Sequence, residues 1–216
     1  MTERDESLNE EKASSITHGL GILFSLVAIP YLILAAHEKS AAATVWAVSV
    51  FGFGLLMVYT SSTLYHAARQ IHTKHIFRIW DHISIFILIA GTYTPMVIIY
   101  TDRLTCIIFL SIMWSIVIAG SCMKIFYTGK NKVFSVCLYL ALGWMALFII
   151  KPLYANMPLP VMAWAVAGGL AYTFGVIFYL WKNLQYHHAI WHLFVLTGSI
   201  THFFAVYNSI PINIKL

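Results

Sequence analysis

Charge is scarce in this chain: Asp, Glu, Lys and Arg make up 10% of its 216 residues, while 60% are hydrophobic. A soluble domain carries about 25% charged residues, so this composition excludes one and leaves an integral membrane protein. The apolar runs also lack alternation with polar residues, which excludes the strands of a transmembrane barrel. A basic patch is missing too. The net charge is +5, but the basic residues are scattered over short loops, so nucleic acid is not an expected partner. Cysteine is rare: Cys106, Cys122 and Cys137 lie in or beside apolar segments without metal-ligand spacing, and are read as free, buried and inert. The N-terminus is acidic and polar rather than basic and then apolar, which argues against a cleaved signal peptide.

What is present is a series of seven apolar stretches, near 16–36, 44–67, 79–100, 104–123, 133–150, 159–181 and 189–210. Each suffices to cross a hydrocarbon core of about 30 Å, which needs about 20 helical residues. The expected fold is all-α: a polar N-terminal segment over 1–15, then one seven-helix transmembrane domain over 16–216. Lys and Arg counts in the loops set the orientation. Nine fall on the side of the N-terminus (Arg4, Lys12, Arg69, Lys74, Arg78, Lys124, Lys130, Lys132, Lys182), and four on the other (Lys39, Arg103, Lys151, Lys215). A cytoplasmic N-terminus and an external C-terminus follow, opposite to G-protein-coupled receptors. A retinal protein is excluded because 189–210 holds no lysine for a Schiff base. Trp46, Trp80, Trp181 and Trp191 stand near segment ends as interfacial anchors. Pro30 and Pro95 are expected to kink their helices, with Gly91 and Thr92 close to the second break.

Against this apolar background a few polar residues fall at one depth. His188 and His192 are four apart, so they share a helical face. This is the spacing by which one helix presents two imidazoles to zinc, although Ala189 stands where a metalloprotease has its Glu. Ser62 and His66 repeat the spacing on the second segment, and Asp81 opens the third. A central Asp costs up to about 3 kcal/mol on insertion, so three such elements at one depth favour a metal site held by His66, His188 and His192. Three protein ligands with an open fourth position is the catalytic arrangement of zinc. Asp81 would supply negative charge and act as general base, and Ser62 would hold water or a substrate carbonyl. Iron or nickel would tolerate the same ligands. The plainer readings are an interfacial His pair and an Asp81 that caps the third helix. His82 is read as a hydrogen-bonding neighbour, and His202 as an interhelical hydrogen-bond partner. His18, His37, His72, His75 and His187 are assigned to interfaces or loops. Glu11 either complements the first helix dipole or reaches the polar site.

These residues resemble the hemolysin III family, the bacterial branch of the progestin and adipoQ receptor superfamily. The matching pieces are Ser61-Ser62-Thr63-Leu64-Tyr65-His66, Asp81-His82, Ile89-Ala90-Gly91-Thr92-Tyr93-Thr94-Pro95, His187-His188-Ala189-Ile190-Trp191-His192 and His202-Phe203, with Glu11, Thr17 and His18 near the start. Where the family often has Asn three residues after the acidic position, this chain has Ser14. The resemblance implies a seven-helix fold with cytoplasmic N-terminus in a bacterial plasma (inner) membrane. It also implies zinc on His66, His188 and His192, with Asp81 and Ser62 beside it. Adiponectin receptors, in the same superfamily, resemble lipid amide hydrolases of the ceramidase type, and the bacterial branch is associated with cytolysis and membrane lipid homeostasis. Three functions are therefore in view. One is a zinc-dependent hydrolase of a lipid amide or ester. The second is a non-enzymatic receptor or regulator of membrane state with structural zinc. The third is a pore-forming cytolysin, although no charged ring or polar stripe runs through the helices. In the first two, a membrane lipid is the substrate or ligand.

Overall fold

The computed structural model describes residues 6–130 and 132–210. Among them no strand occurs, as hydrocarbon requires of a chain whose backbone must satisfy itself. The helices are α1 (Leu8–Lys39), α2 (Ala42–Ala67), α3 (Ile71–Tyr100), α4 (Arg103–Tyr127), α5 (Lys132–Gly143), α6 (Ile150–Asn156), α7 (Leu159–Leu180) and α8 (His187–Ser209), with a 3₁₀ segment Met145–Ile149 joining α5 to α6. Together they provide seven segments long and apolar enough to cross a membrane, the fifth being Lys132–Asn156. Large apolar side chains such as Leu23, Val27, Ile118, Phe148 and Phe174 face outward, the arrangement lipid solvates. The interior is built around Leu32, Phe51, Leu55, Tyr59 and Val206, all fully buried.

Two helices begin earlier than their apolar runs. α1 starts at Leu8 because Ser7 and Glu10 form a capping box: the Ser7 Oγ accepts from the Glu10 amide at 3.3 Å, and the Glu10 carboxylate accepts from the Ser7 amide at 2.9 Å. α3 starts at Ile71, leaving a connection of only 68–70. Its first turns carry His72, Lys74, His75 and Arg78 on exposed or half-buried faces. Asp81 therefore lies inside α3 and not at its start, so it does not cap the helix; Gln70 occupies that place.

The fifth crossing is broken. Between α5 and α6 the i→i−4 ladder gives way to a tighter turn, with the Leu147 amide bonded to the Trp144 carbonyl. Tyr93 of α3 compensates: its hydroxyl donates to the Gly143 carbonyl at 2.6 Å and accepts from the Ala146 amide at 3.0 Å. Non-helical backbone at membrane depth persists where protein groups re-satisfy it. Pro30 and Pro95 both lie within continuous helices. Near the second, the hydroxyls of Thr92 and Thr94 donate to the Leu88 and Ala90 carbonyls.

All three cysteines are free, but Cys122 and Cys137 are exposed and Cys106 is half-buried. The expectation of burial fails because an apolar segment has an outer, lipid-facing side where a thiol is equally at home. Trp46, Trp80 and Trp181 stand about half exposed, as interfacial anchors do.

α2 and α3 approach most closely. A Cβ on Gly54 would lie 2.9 Å from the Leu88 Cα, and one on Gly91 would lie 3.0 Å from the Val50 carbonyl oxygen. Each glycine thus admits the backbone of the opposing helix, as small residues do where hydrophobic burial cannot drive helix association. The Ser61 hydroxyl donates across the same seam to Ser84 at 3.1 Å, and Ser84 donates to the Asp81 carbonyl at 2.6 Å. This seam sets Ser62 and His66 of α2 against Asp81 of α3. Gly91→Val must separate two backbones, so it is expected to lower stability by about 1–3 kcal/mol, read as a fall in the thermal unfolding midpoint in detergent.

Candidate metal centre

His66 ends α2, while His188 and His192 lie in the first turns of α8. The fold brings their rings together, with centroids 4.7 Å apart for His66 and His188, 5.0 Å for His66 and His192, and 4.6 Å for His188 and His192. One nitrogen from each lies within 4.8 Å of the others. His66 and His192 are buried and His188 is half-buried.

The other ring nitrogens explain the orientation. His66 Nδ1 lies 2.7 Å from a Glu11 carboxylate oxygen. His192 Nδ1 lies 3.0 Å from the Ser14 carbonyl oxygen and 3.3 Å from the Thr17 hydroxyl. His188 Nδ1 lies 3.2 Å from a Glu6 carboxylate oxygen. Carbonyls and carboxylates only accept, so each Nδ1 carries the proton and each Nε2 keeps its lone pair. An imidazole donating its other N–H to an oxygen is the usual support of a metal ligand. The His66 Nε2 is fully buried and has no hydrogen-bond partner. A bare lone pair in that position is costly without a proton donor or a cation. Donor set and orphaned nitrogen both fit zinc.

Ser62, one turn deeper than His66, is fully buried, and its hydroxyl is also without a hydrogen-bond partner. The half-buried Asp81 carboxyl faces this hydroxyl and the His188 ring. The five residues singled out in the sequence therefore stand at one place. His82 turns away, its Nδ1–H donating to the Arg78 carbonyl at 2.6 Å. His202 reaches across to α7, with Nε2 3.1 Å from the Ala165 carbonyl oxygen.

The N-terminal part of the chain contributes more than the sequence suggested. Glu11 reaches the polar site and holds Lys74 with its second oxygen at 2.8 Å. Glu6 faces both His188 and His187. Burial alone would push the Glu6 carboxyl up, but the hydrogen bond from the His188 Nδ1–H holds it below the usual carboxylate range. It stands as a carboxylate. Glu10, besides capping α1, accepts from the Tyr186 amide at 2.9 Å, where the chain turns through a left-handed conformation (φ 56°) into α8. Glu6, Glu11 and His66 also converge as a group. Because His66 presents its protonated nitrogen to them, these carboxylates orient the ring.

Two assignments to interfaces or loops are corrected. His18 is buried and stacks on His192 at 3.5 Å, with an interplanar angle of 16°. His187 is buried as well, against Glu6. His187 is buried because Glu6 packs against the start of α8, and His18 because it lies on the inward face of α1. The inward residues Glu10, Ser14, His18, Gly21, Ser25 and Ala28 recur every three or four positions, a helical stripe that was available to find His18. His37, His72 and His75 are exposed. The Ser14 departure has no effect on the His192 contact, which uses the main-chain carbonyl.

The class is therefore a seven-helix membrane protein with a three-histidine cluster closed by its N-terminal helix. The family described as "Haemolysin-III related" matches residues 6–203, and the chain belongs to it. It is 40% identical to the "Hemolysin-3 homolog" of Bacillus subtilis (strain 168) over 200 residues, 93% of this chain and 94% of that protein. It is 39% identical to the "Hemolysin-3" of Bacillus cereus over 206 residues, 95% and 94% of the two chains. A more distant similarity, 26% over 205 residues, joins it to the human "Monocyte to macrophage differentiation factor", covering 92% of this chain and 84% of that one.

Removing the carboxylate that orients His66 tests this geometry directly. Glu11→Gln is expected to weaken zinc affinity about 10- to 100-fold, measured by competition with a chelator on the purified protein. An unchanged affinity would show that Glu11 does not support a ligand.

Proposed function

We propose that this protein is a zinc-dependent hydrolase of a lipid amide or ester. The observation that carries the reading is the orphaned pair of His66 Nε2 and Ser62 Oγ, beside two further imidazoles and a carboxylate. His66, His188 and His192 would hold the metal. Zinc in such a set supplies Lewis-acid polarisation of a carbonyl and lowers the pKa of water to about 7. Asp81 accepts the proton of the attacking water at its carboxylate and returns it to the leaving amine or alcohol. Ser62 donates its hydroxyl to the oxygen that gains charge. Three carboxylates, Glu6, Glu11 and Asp81, offset the double positive charge that neutral imidazoles leave in low dielectric. With the N-terminus cytoplasmic, as the Lys and Arg asymmetry predicts, the site opens to the cytoplasmic leaflet of a bacterial plasma membrane. A lipid enters from that leaflet, and the reaction serves membrane lipid homeostasis.

A second reading has one observation in its favour. α2 and α8 make little direct contact; each packs on α1. A metal between His66 and the α8 pair would then be the main link between them, and its role would be structural.

Elemental analysis of the purified protein in detergent is expected to give about one zinc per chain, lost in a His188→Ala/His192→Ala variant. A metal-free, folded parent would sink both readings. The two are separated by Asp81→Asn, which is expected to keep its zinc and lose lipid amide or ester turnover by about 10²- to 10⁴-fold. If the parent turns over no lipid and zinc removal only lowers the unfolding midpoint, the metal is structural.

A further inference from the structure

Lys124 lies in the last turn of α4, yet only 2% of it is exposed. An ammonium withdrawn from water needs an anion. What it has is neutral: Nζ donates to the Ser135 hydroxyl of α5 at 2.5 Å and sits 5.7 Å from the centre of the Tyr139 ring. Its charged neighbour is Arg78 of α3, a second cation close enough to repel it. No carboxylate of the described residues lies within ion-pair distance of either. Asp81, the acid that Arg78 influences, is turned toward Ser62 and His188. His82, which senses both cations, has its Nδ1 committed to the Arg78 carbonyl.

The backbone closes over the Arg78 guanidinium. The turn after α4 is held by the Lys130 amide on the Tyr127 carbonyl. Gly129 there has φ +84°, and a Cβ on it would lie 3.2 Å from both terminal nitrogens of the Arg78 guanidinium. A glycine is thus required for its conformation and for the close approach of the turn to the guanidinium. Trp80, two positions beyond Arg78, is half exposed, as an indole is at headgroup level. The cations stand at the depth where lipid phosphates lie.

We propose that Arg78 and Lys124, beneath the Gly129 turn, form a binding site for a phosphate anion, occupied in the membrane by the headgroup of an anionic phospholipid. Arg78 offers a planar fork that matches two phosphate oxygens, and Lys124 a compact point charge. The anion completes a charge balance that the protein leaves open. The site shares no residue with the histidine cluster and stands whether or not that cluster holds zinc.

The test uses the full chain in detergent, with native mass spectrometry counting retained phosphatidylglycerol against phosphatidylcholine. The parent is expected to retain phosphatidylglycerol preferentially. Lys124→Met and Arg78→Gln should each reduce that preference about fivefold, while Lys151→Gln, in α6 toward the opposite end of the bundle, leaves it unchanged. Thermal unfolding supplies a second readout: phosphatidylglycerol should raise the midpoint of the parent and not that of Lys124→Met. Should Lys124→Met fail to fold, Arg78→Gln carries the comparison, because Arg78 is only half-buried. Millimolar inorganic phosphate distinguishes the sources. If it leaves the retained lipid in place, the headgroup is the ligand. If it displaces the lipid, or stabilises the parent without lipid, the site is a phosphate site open to the aqueous phase. Equal retention of the two lipids with no effect of phosphate would overturn the proposal, as would folded variants that retain phosphatidylglycerol like the parent.

Discussion

His66, His188 and His192 each need an oxygen for the Nδ1–H, and the N-terminal stretch of the chain supplies all three. Glu6 faces His188, Glu11 takes His66, and the Ser14 carbonyl takes His192. In a low-dielectric interior an unpaired N–H is costly, so these contacts fix the tautomer and the rotation of each ring together. The convergence of the Nε2 lone pairs follows from where the acceptors stand. α1 thereby acts on two helices that scarcely meet, α2 and α8, and the site is a property of all three.

A second constraint holds the remaining side of the site. Ser62 and Asp81 lie on different helices, and their approach depends on how near α2 comes to α3. Gly54 and Gly91 let each helix lie against the other's backbone, and the Ser61–Ser84–Asp81 hydrogen-bond chain keeps the seam in register. A longer side chain at either glycine would move the carboxylate away from the histidines without touching either. Rigidity at such a seam is what a site needs if groups are to stay placed within fractions of an ångström.

Charge is divided unevenly across the same end of the protein. Around the histidines stand the carboxylates of Glu6, Glu11 and Asp81. Toward α4 the charge is positive, with no carboxylate of the described residues in ion-pair distance of Arg78 or Lys124. α3 carries the boundary, since Arg78 and Asp81 are one turn apart on it. Each half is incomplete in a low-dielectric setting; the proposed metal cation would balance one and the proposed phosphate anion the other.

The seven crossings, the all-helical fold and the polar residues His66, Asp81, His188, His192 and Ser62 were all legible in the sequence, because hydropathy and helical spacing are local properties. The break at 143–149 was not legible, since the group that heals it, Tyr93, comes from another helix. The inward placement of Glu6 and His187 was also hidden: a charged segment before an apolar run looks solvated until a folded partner offers it a nitrogen to hold. The Ser7–Glu10 capping box was a readable sign that α1 begins early, and the stripe from Ser14 to Ala28 a readable sign of its buried face. The sequence by itself determined which residues are too polar for hydrocarbon and at what depth they fall. Tertiary structure alone decided which oxygen meets which ring nitrogen, and which cations are left without an acid, because both depend on distances between helices that no spacing along one chain encodes.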